Sequence, residues 1–302
     1  MPLHLVPNTP RRRFLGQLGA AAALACRIDA AAAGDLDGDL IAILNDTHIG
    51  AKQALDSNIP RHLRETVTAL LKLDKRPAAV IINGDLAMRD GQPGDYASFA
   101  SLILPLRDAG VPVHLTMGNH DDRAVFYEVL AAEKPARPPV TARHVSVVEL
   151  ANANLFLLDS LKETMIAPGA LGAEQLAWLT RMLDAHTNKP ALVFAHHNPR
   201  LGGDPVHFPG GLEDSEALWQ VLAARPQVKA YVHGHIHHRN YFAHQGIHIL
   251  NTPATSYVAD PAASTTGWTL ARLSAGVGAF TTLTHLPDHP WNGLVKELAW
   301  RV

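Results

Sequence analysis

One cysteine in 302 residues, Cys26, leaves no partner for an intramolecular disulfide, so the fold must stand on its core rather than on covalent staples. A dominant charge is lacking too: the formal net charge is −2, which gives no global reason to expect a nucleic-acid polymer or an acidic membrane as partner. Any affinity for phosphate must be local. Long apolar runs are missing as well. The most apolar stretch, Leu18–Ala25, follows Gln17 and closes at Arg27 and Asp29, well short of the roughly 20 residues of a spanning helix. There is no internal repeat, and no low-complexity tract beyond an alanine-rich N-terminus. With 47% apolar and 18% charged residues, the composition is that of a globular protein with a sizeable core, and one main domain is the simplest count. Histidine is abundant, with 18 residues crowded into a few short stretches.

The first 33 residues read as an address. Arg11-Arg12-Arg13 precedes Phe14-Leu15 and the small-residue apolar run, an order that resembles a twin-arginine export signal. Cleavage is expected near Ala31-Ala32-Ala33, leaving a mature chain without a thiol and placing it in the periplasm or outside the cell. Ala23-Leu24-Ala25-Cys26 loosely resembles a lipoprotein cleavage site, which makes lipid anchoring the lesser alternative. The catalytic domain is expected over 34–286, and the remainder, 287–302 with Trp291 and Trp300, as a segment capping it.

From Leu40 onward, strand-length apolar runs alternate with stretches of helical period. Leu40–Leu44, Ala78–Ile82, Val111–Met117, Ala191–Phe194 and Val228–Val232 read as strands. Leu63, Val67 and Leu70 mark one amphipathic helix, and Tyr96, Phe99 and Ile103 a second. Leu176, Leu179 and Leu183 mark a third; Leu218, Val221 and Leu222 a fourth. Val145–Leu150 and Leu155–Leu158 follow each other with no helix between them, and the runs from Asn240 to Leu286 read as hairpins. The expected fold is α/β: two packed mixed sheets flanked by helices, a four-layer α/β/β/α sandwich.

Five of these runs end in polar clusters: Asn45-Asp46-Thr47-His48, Asn83-Gly84-Asp85, Gly118-Asn119-His120-Asp121, His196-His197-Asn198-Pro199 and Gly234-His235-Ile236-His237. Ligands of α/β sheets gather beyond the carboxyl ends of the strands, so five separate stretches deliver side chains to one place. Imidazole and carboxylate are the usual ligands of first-row divalent metals. A carboxylate shared by two cations roughly 3.5 to 4 Å apart suits displacement at phosphorus, and Asp85 is the candidate bridge. The glycines at 84, 118 and 234 let the backbone pass close to the metals without a Cβ.

The ordered set Asp-x-His, Gly-Asp, Gly-Asn-His-Asp, His and Gly-His-x-His resembles the signature of the calcineurin-like metallophosphoesterases, from Asp46 to His237. The resemblance implies one metal on Asp46, His48, Asp85 and His237, and another on Asp85, Asn119, His196 and His235, the ions being iron, manganese, zinc or cobalt. It implies that His120 lies near the phosphate and serves the leaving oxygen or the transition state, with Asp121 orienting it. The reaction would be metal-assisted hydrolysis of a small phosphoester without a phosphoenzyme. Gly118–Arg123 and the run from Gly169 to Leu179 are similar to bacterial class III cyclic-nucleotide phosphodiesterases and glycerophosphodiesterases, which points to diesters. A phosphomonoesterase on the same scaffold, or a metal-binding envelope protein without catalysis, are the alternatives.

Several histidines stay outside this set. His197 adjoins His196 and would replace it as ligand if the alignment moved by one residue. His233 and His238 are expected to face away from the metals or to line the rim, His114 to sit in the core, and His244 and His248 at the surface. Arg123 reads equally as a helix-start cation or as a partner for substrate phosphate. The glycine- and proline-rich loop Leu201–Gly211, with Asp204 and His207, is a candidate specificity loop.

Overall fold

The computed structural model describes residues 36–202 and 208–302; the segment expected as an export signal, Cys26, Asp204 and His207 lie outside the described residues. Alternation at period two explains why the strands form layers. Along β1 (Leu36–Leu44), Ala42 and Leu44 face helices while Ile41 and Ile43 face the other sheet. The same alternation holds for β2 (Arg76–Asn83), with Val80 and Ile82 on the helix side and Ala79 and Ile81 between the sheets. A strand buried on both faces needs partners on both, and the chain supplies them.

The first sheet adds β3 (Val113–Thr116), β10 (Gly267–Leu273), β11 (Val277–Thr284) and β12 (Val295–Ala299), in the order β12-β11-β10-β1-β2-β3. Its β1-β2-β3 portion is parallel, and β10 to β12 are antiparallel. The second sheet comprises β4 (Ser146–Glu149), β5 (Asn154–Leu157), β6 (Ala191–Phe194), β7 (Val228–His233), β8 (Asn240–His244) and β9 (Ile247–Asn251), ordered β4-β5-β6-β7-β9-β8. Helices α1 (Asn58–Leu71), α2 (Pro93–Asp108) and α3 (Arg123–Val129) cover the first sheet, and α4 (Ala173–Ala185) and α5 (Ser215–Ala223) the second. A third apolar cluster, including Phe194, Val232, Leu250 and Phe280, fills the space between the sheets. This is the expected four-layer α/β/β/α sandwich of two mixed sheets.

Two boundaries differ from the sequence reading for physical reasons. The third strand starts at Val113 rather than Val111, because Pro112 has no N–H to offer the ladder and contributes only its carbonyl, to Val80 N at 2.8 Å. Residues 295–299 pair with β11, extending the first sheet by a strand. Trp300 behind them is buried in the cluster between the sheets, its Nε1 donating to Ser274 O at 2.9 Å.

Candidate metal centre

β1, β2 and β3 of one sheet and β6 and β7 of the other run parallel within their sheets and end at the same edge of the sandwich. Backbone bonds then hold the five clusters together: Asp46 N donates to Gly84 O at 3.1 Å, His48 N to Asp85 O at 3.0 Å, and Gly234 N to His196 O at 3.0 Å. Asn83 ties the sheets across the seam, donating to Ala195 O at 3.0 Å and accepting from Thr116 Oγ1 at 2.8 Å. Five of the seven sequence-derived ligand residues, Asp46, His48, Asp85, His235 and His237, have φ between 46° and 69°. That left-handed region costs a non-glycine residue on the order of 1 to 3 kcal/mol, so the fold holds strain where the polar side chains converge. A Cβ on Gly84 would meet the His196 ring at 2.6 Å, and one on Gly118 would enter the Asp85 carboxylate. The missing side chains let the clusters approach this closely.

Two sets of donor atoms emerge, each within 4.8 Å: Asp46, His48, Asp85 and His237, and Asp85, His196 and His235, with Asp85 common to both. Asp46 Oδ2 accepts from Asn45 Nδ2 at 2.9 Å and His235 N at 3.1 Å. Its Oδ1 is left facing His237 Nε2 at 3.2 Å, His196 Nε2 at 3.8 Å and His48 Nε2 at 3.9 Å. Asp85 divides its oxygens likewise: Oδ1 accepts from His120 N at 2.8 Å, and Oδ2 faces His196 Nε2 at 3.2 Å and His48 Nε2 at 3.7 Å. The imidazoles are oriented by carbonyls. His196 Nδ1 donates to Asn83 O at 2.9 Å and His48 Nδ1 to Met88 O at 3.3 Å, which fixes the tautomer that turns Nε2 inward.

Asp46 Oδ1, Asn119 Oδ1 and His196 Nε2 are buried without a hydrogen-bond partner. Buried polar atoms are ordinarily paired, so orphaned atoms on residues of the donor set fit a divalent cation. The electrostatics agree. Burial pushes Asp46 up, but the His237 and His196 imidazoles outweigh it and hold the carboxyl at about 2. Burial drives His48 down to about 4 and His235 to about 3, the neutral form that binds metal. Burial also works against charge on His196, yet Asp85 and Asp46 lift it to about 9. Two carboxylates this close draw positive charge to the centre.

Asp121 does not hold His120 as the resemblance implied. His120 Nδ1 lies 2.6 Å from Arg89 O and its ring centroid 5.0 Å from that of His48, so the Arg89 carbonyl orients it. Asp121 is fully buried and accepts instead from Gly118 N at 2.9 Å, Leu86 N at 3.1 Å and Tyr96 Oη at 3.2 Å. Its carboxylate is consumed in shaping the two turns that present Asp85 and Asn119. His197, beside His196, has its Nδ1 2.8 Å from Ser160 Oγ, and its ring centroid lies 4.4 Å from that of His235 with Nε2 buried and unpartnered.

Arg123 is neither solvated nor offered to a phosphate. Its Nε and Nη2 reach the two oxygens of fully buried Asp159 at 2.6 and 2.8 Å. Arg123→Met should therefore strand a buried carboxylate and lower stability by about 3 kcal/mol, seen as a lower urea midpoint with metal content unchanged. An unshifted midpoint would mean that the amides of His144 and Leu161, at 2.9 and 3.1 Å, together with Arg143 Nη1 at 3.9 Å, satisfy Asp159 without Arg123.

His233, His114 and His238 belong to neither donor set. His233 is fully buried in β7, His114 lies in β3 where burial takes it to about 4, and His238 packs on Trp291 with centroids 5.4 Å apart. From the glycine-rich loop, Gly210 O lies 3.0 Å from His235 Nε2 and the Phe208 ring 5.2 Å from that imidazole. One neighbour escaped the sequence reading altogether: Tyr257 sets its ring 5.3 Å from both His48 and His237. It belongs to no motif and sits in a loop, so only its aromatic character could have drawn notice.

A cluster of imidazoles and carboxylates at the strand ends of such a sandwich marks a metal-dependent hydrolase. The chain belongs to the calcineurin-like phosphoesterase family, whose model matches residues 40–239. Over 177 residues, 58% of this chain, it is 33% identical to the 3′,5′-cyclic adenosine monophosphate phosphodiesterase CpdA of Vibrio vulnificus, of which the match spans 60%. Over 223 residues it is 30% identical to the glycerophosphodiester phosphodiesterase GpdQ of Enterobacter lignolyticus, covering 72% of this chain and 77% of the other. Among solved structures, a dimetal phosphatase from Danio rerio superposes with a TM-score of 0.66 at 16% identity, over 86% of this chain and 98% of that one. At that identity the likeness is one of fold.

Proposed function

We propose that the chain hydrolyses small phosphodiesters with two divalent metal ions. Asp46, His48, Asp85 and His237 would hold one ion, and Asp85, Asn119, His196 and His235 the other. The observation that carries this reading is the pair of donor sets sharing Asp85, with orphaned buried donors in both. When bound, two such ions lower the pKa of water and neutralise phosphoryl oxygens. The chain's own residues do the rest. Asn45 and the His235 amide keep Asp46 Oδ1 pointed inward, and the His120 amide does the same for Asp85 Oδ2. With Nδ1–H donated to Arg89 O, His120 keeps Nε2 for the substrate; in its imidazolium form it would give the Nε2 proton to the departing oxygen and be left as the neutral Nδ1–H tautomer.

Diesters are favoured over monoesters by the activities named for the Vibrio and Enterobacter relatives. Elemental analysis joined to a substrate screen tests both parts. Two equivalents of iron, manganese, zinc or cobalt are expected per chain, with turnover highest on cyclic nucleotides or glycerophosphodiesters. A preference for monoesters would make the protein a phosphomonoesterase, and full metal with no turnover on any ester a metal-binding protein only.

We also propose export through the twin-arginine route, which reads the arginine pair itself rather than its charge. Replacing Arg11 and Arg12 by lysine should retain the precursor inside the cell. Normal export and cleavage of that variant, followed by immunoblot of cell fractions, would remove the assignment.

A further inference from the structure

On the side of His48 and His237 the centre adjoins a cavity of about 530 Å³, between the start of α1 and the loop over residues 256–266. No candidate ligand lines the cavity, but the two share a wall. Gln53, in its wall, donates to His48 O at 3.2 Å, and Ser264 Oγ donates to His237 O at 2.7 Å. Tyr257, 37% exposed, stands between the cavity and the two imidazoles.

The lining points to an uncharged occupant. Ile59, Val258, Pro261 and Leu286 supply apolar walls, and no carboxylate lines the cavity among the described residues. Its one arginine, Arg61, is already engaged by Glu65 Oε1 and Asn58 Oδ1, both at 2.9 Å. The two lining histidines, His62 and His285, stack with centroids 4.2 Å apart and planes 12° apart. Thr266 Oγ1 lies 3.2 and 3.1 Å from their Nδ1 atoms, and Thr66 Oγ1 lies 3.0 Å from His285 Nε2. Burial holds both imidazoles below their ordinary range, with His285 at about 4, so neither offers a cation to a second phosphate. What the cavity offers is an accessible aromatic ring, apolar walls and amide or hydroxyl groups at the margin. Its volume is in the range of small-molecule sites. A glycerol or ethanolamine group has no flat face for the tyrosine and would leave these walls wet.

We infer that this cavity receives the purine nucleoside portion of a nucleotide diester whose phosphorus sits at the metal centre, with Tyr257 as the stacking platform and Ile59 and Val258 as walls. The inference rests on the hydrolase reading above and adds to it the residues that select the substrate. Stacking of a base on an aromatic side chain needs no charge, which matches a cavity whose only arginine is already paired.

The test uses the metal-loaded full chain. Adenosine is titrated calorimetrically, and kcat/KM is measured on 3′,5′-cyclic AMP and on glycerophosphoethanolamine, for wild type, Tyr257→Leu, Val258→Asp and Ile59→Asp. Adenosine should bind wild type and compete with glycerophosphoethanolamine. Each substitution should lower the ratio of the two kcat/KM values roughly tenfold, within the range base stacking supplies, mainly through KM for the cyclic nucleotide. Using two wall positions guards against a variant that fails to fold. Absence of adenosine binding to wild type at millimolar concentration, or equal losses on both esters in all three variants, would overturn the inference. If no ester is turned over at full metal load, the hydrolase reading fails, and the titration still decides the cavity: adenosine binding lost in Val258→Asp supports it, and no binding overturns it.

Discussion

Replacing Asp85 by alanine is expected to strip most of the metal from the protein and to abolish measurable turnover. Asp85 is the one carboxylate common to both donor sets, and its Oδ2 lies within 3.7 Å of imidazoles from each. Without it, Asp46 is left as the only carboxylate among the candidate ligands to balance two divalent ions. Loss of an outer hydrogen-bond partner alone typically costs 10- to 100-fold in metal affinity or activity. Removal of a shared ligand should exceed roughly a hundredfold in affinity. Asp85 Oδ1 also accepts from the His120 amide, so the loop carrying Asn119 loses an anchor at the same time. Asp85→Asn separates the two effects, because it can keep an oxygen for that amide while removing the charge. Elemental analysis of both variants decides the matter: near-wild-type metal content in Asp85→Ala would remove the bridging role.

His120→Ala should do the opposite, keeping metal and losing chemistry. The ring lies beside the centre, 5.0 Å from His48, but its Nδ1 is committed to Arg89 O and it belongs to neither donor set. Two equivalents of metal should remain bound, while kcat falls by roughly the 10² to 10⁴ that a positioned proton donor supplies. The loss should be greater for a diester with an alkoxide leaving group than for a nitrophenyl ester, whose phenolate departs with little protonation. Equal losses on both esters would move His120's action from the leaving oxygen to the equatorial phosphoryl oxygens. Loss of one metal equivalent would make His120 a ligand.

The layers and the gathering of the five clusters were legible because both depend on local periodicity. Unbroken apolar runs such as Leu40–Leu44 and Ala78–Ile82 called for strands of a buried sheet, and polar residues following them had to lie at strand ends. The backbone conformation of the clusters was not legible. Nothing in Asp46 or His237 as residue types calls for a positive φ, which is imposed by bonds such as Asp46 N to Gly84 O between distant loops. Asp121 shows the same limit from another side. The family resemblance implied that it orients His120, whereas the turn aims its carboxylate at amides of Leu86 and Gly118. The partner of Arg123, Asp159, is 36 residues away in sequence, and neither residue type nor spacing links them. Tyr257 likewise acquires its place only when the loop after β9 folds back over the centre, with Thr255 N donating to Asn45 O at 2.7 Å.

The seam between the sheets has a consequence for timing. Asp46, His48, Asp85 and Asn119 follow strands of the first sheet, whereas His196, His235 and His237 follow strands of the second, and His48 meets His237 across 189 positions of chain. Neither half alone presents more than a fragment of the donor set. A nascent chain emerging as far as β3 has nothing complete with which to capture an ion, and loading awaits the docking of β6 and β7. Two separately produced pieces, divided in the stretch between β3 and β6, would each be silent, and the return of phosphodiester hydrolysis on mixing them would report that the pieces had docked, β10 on β1 as well as sheet on sheet.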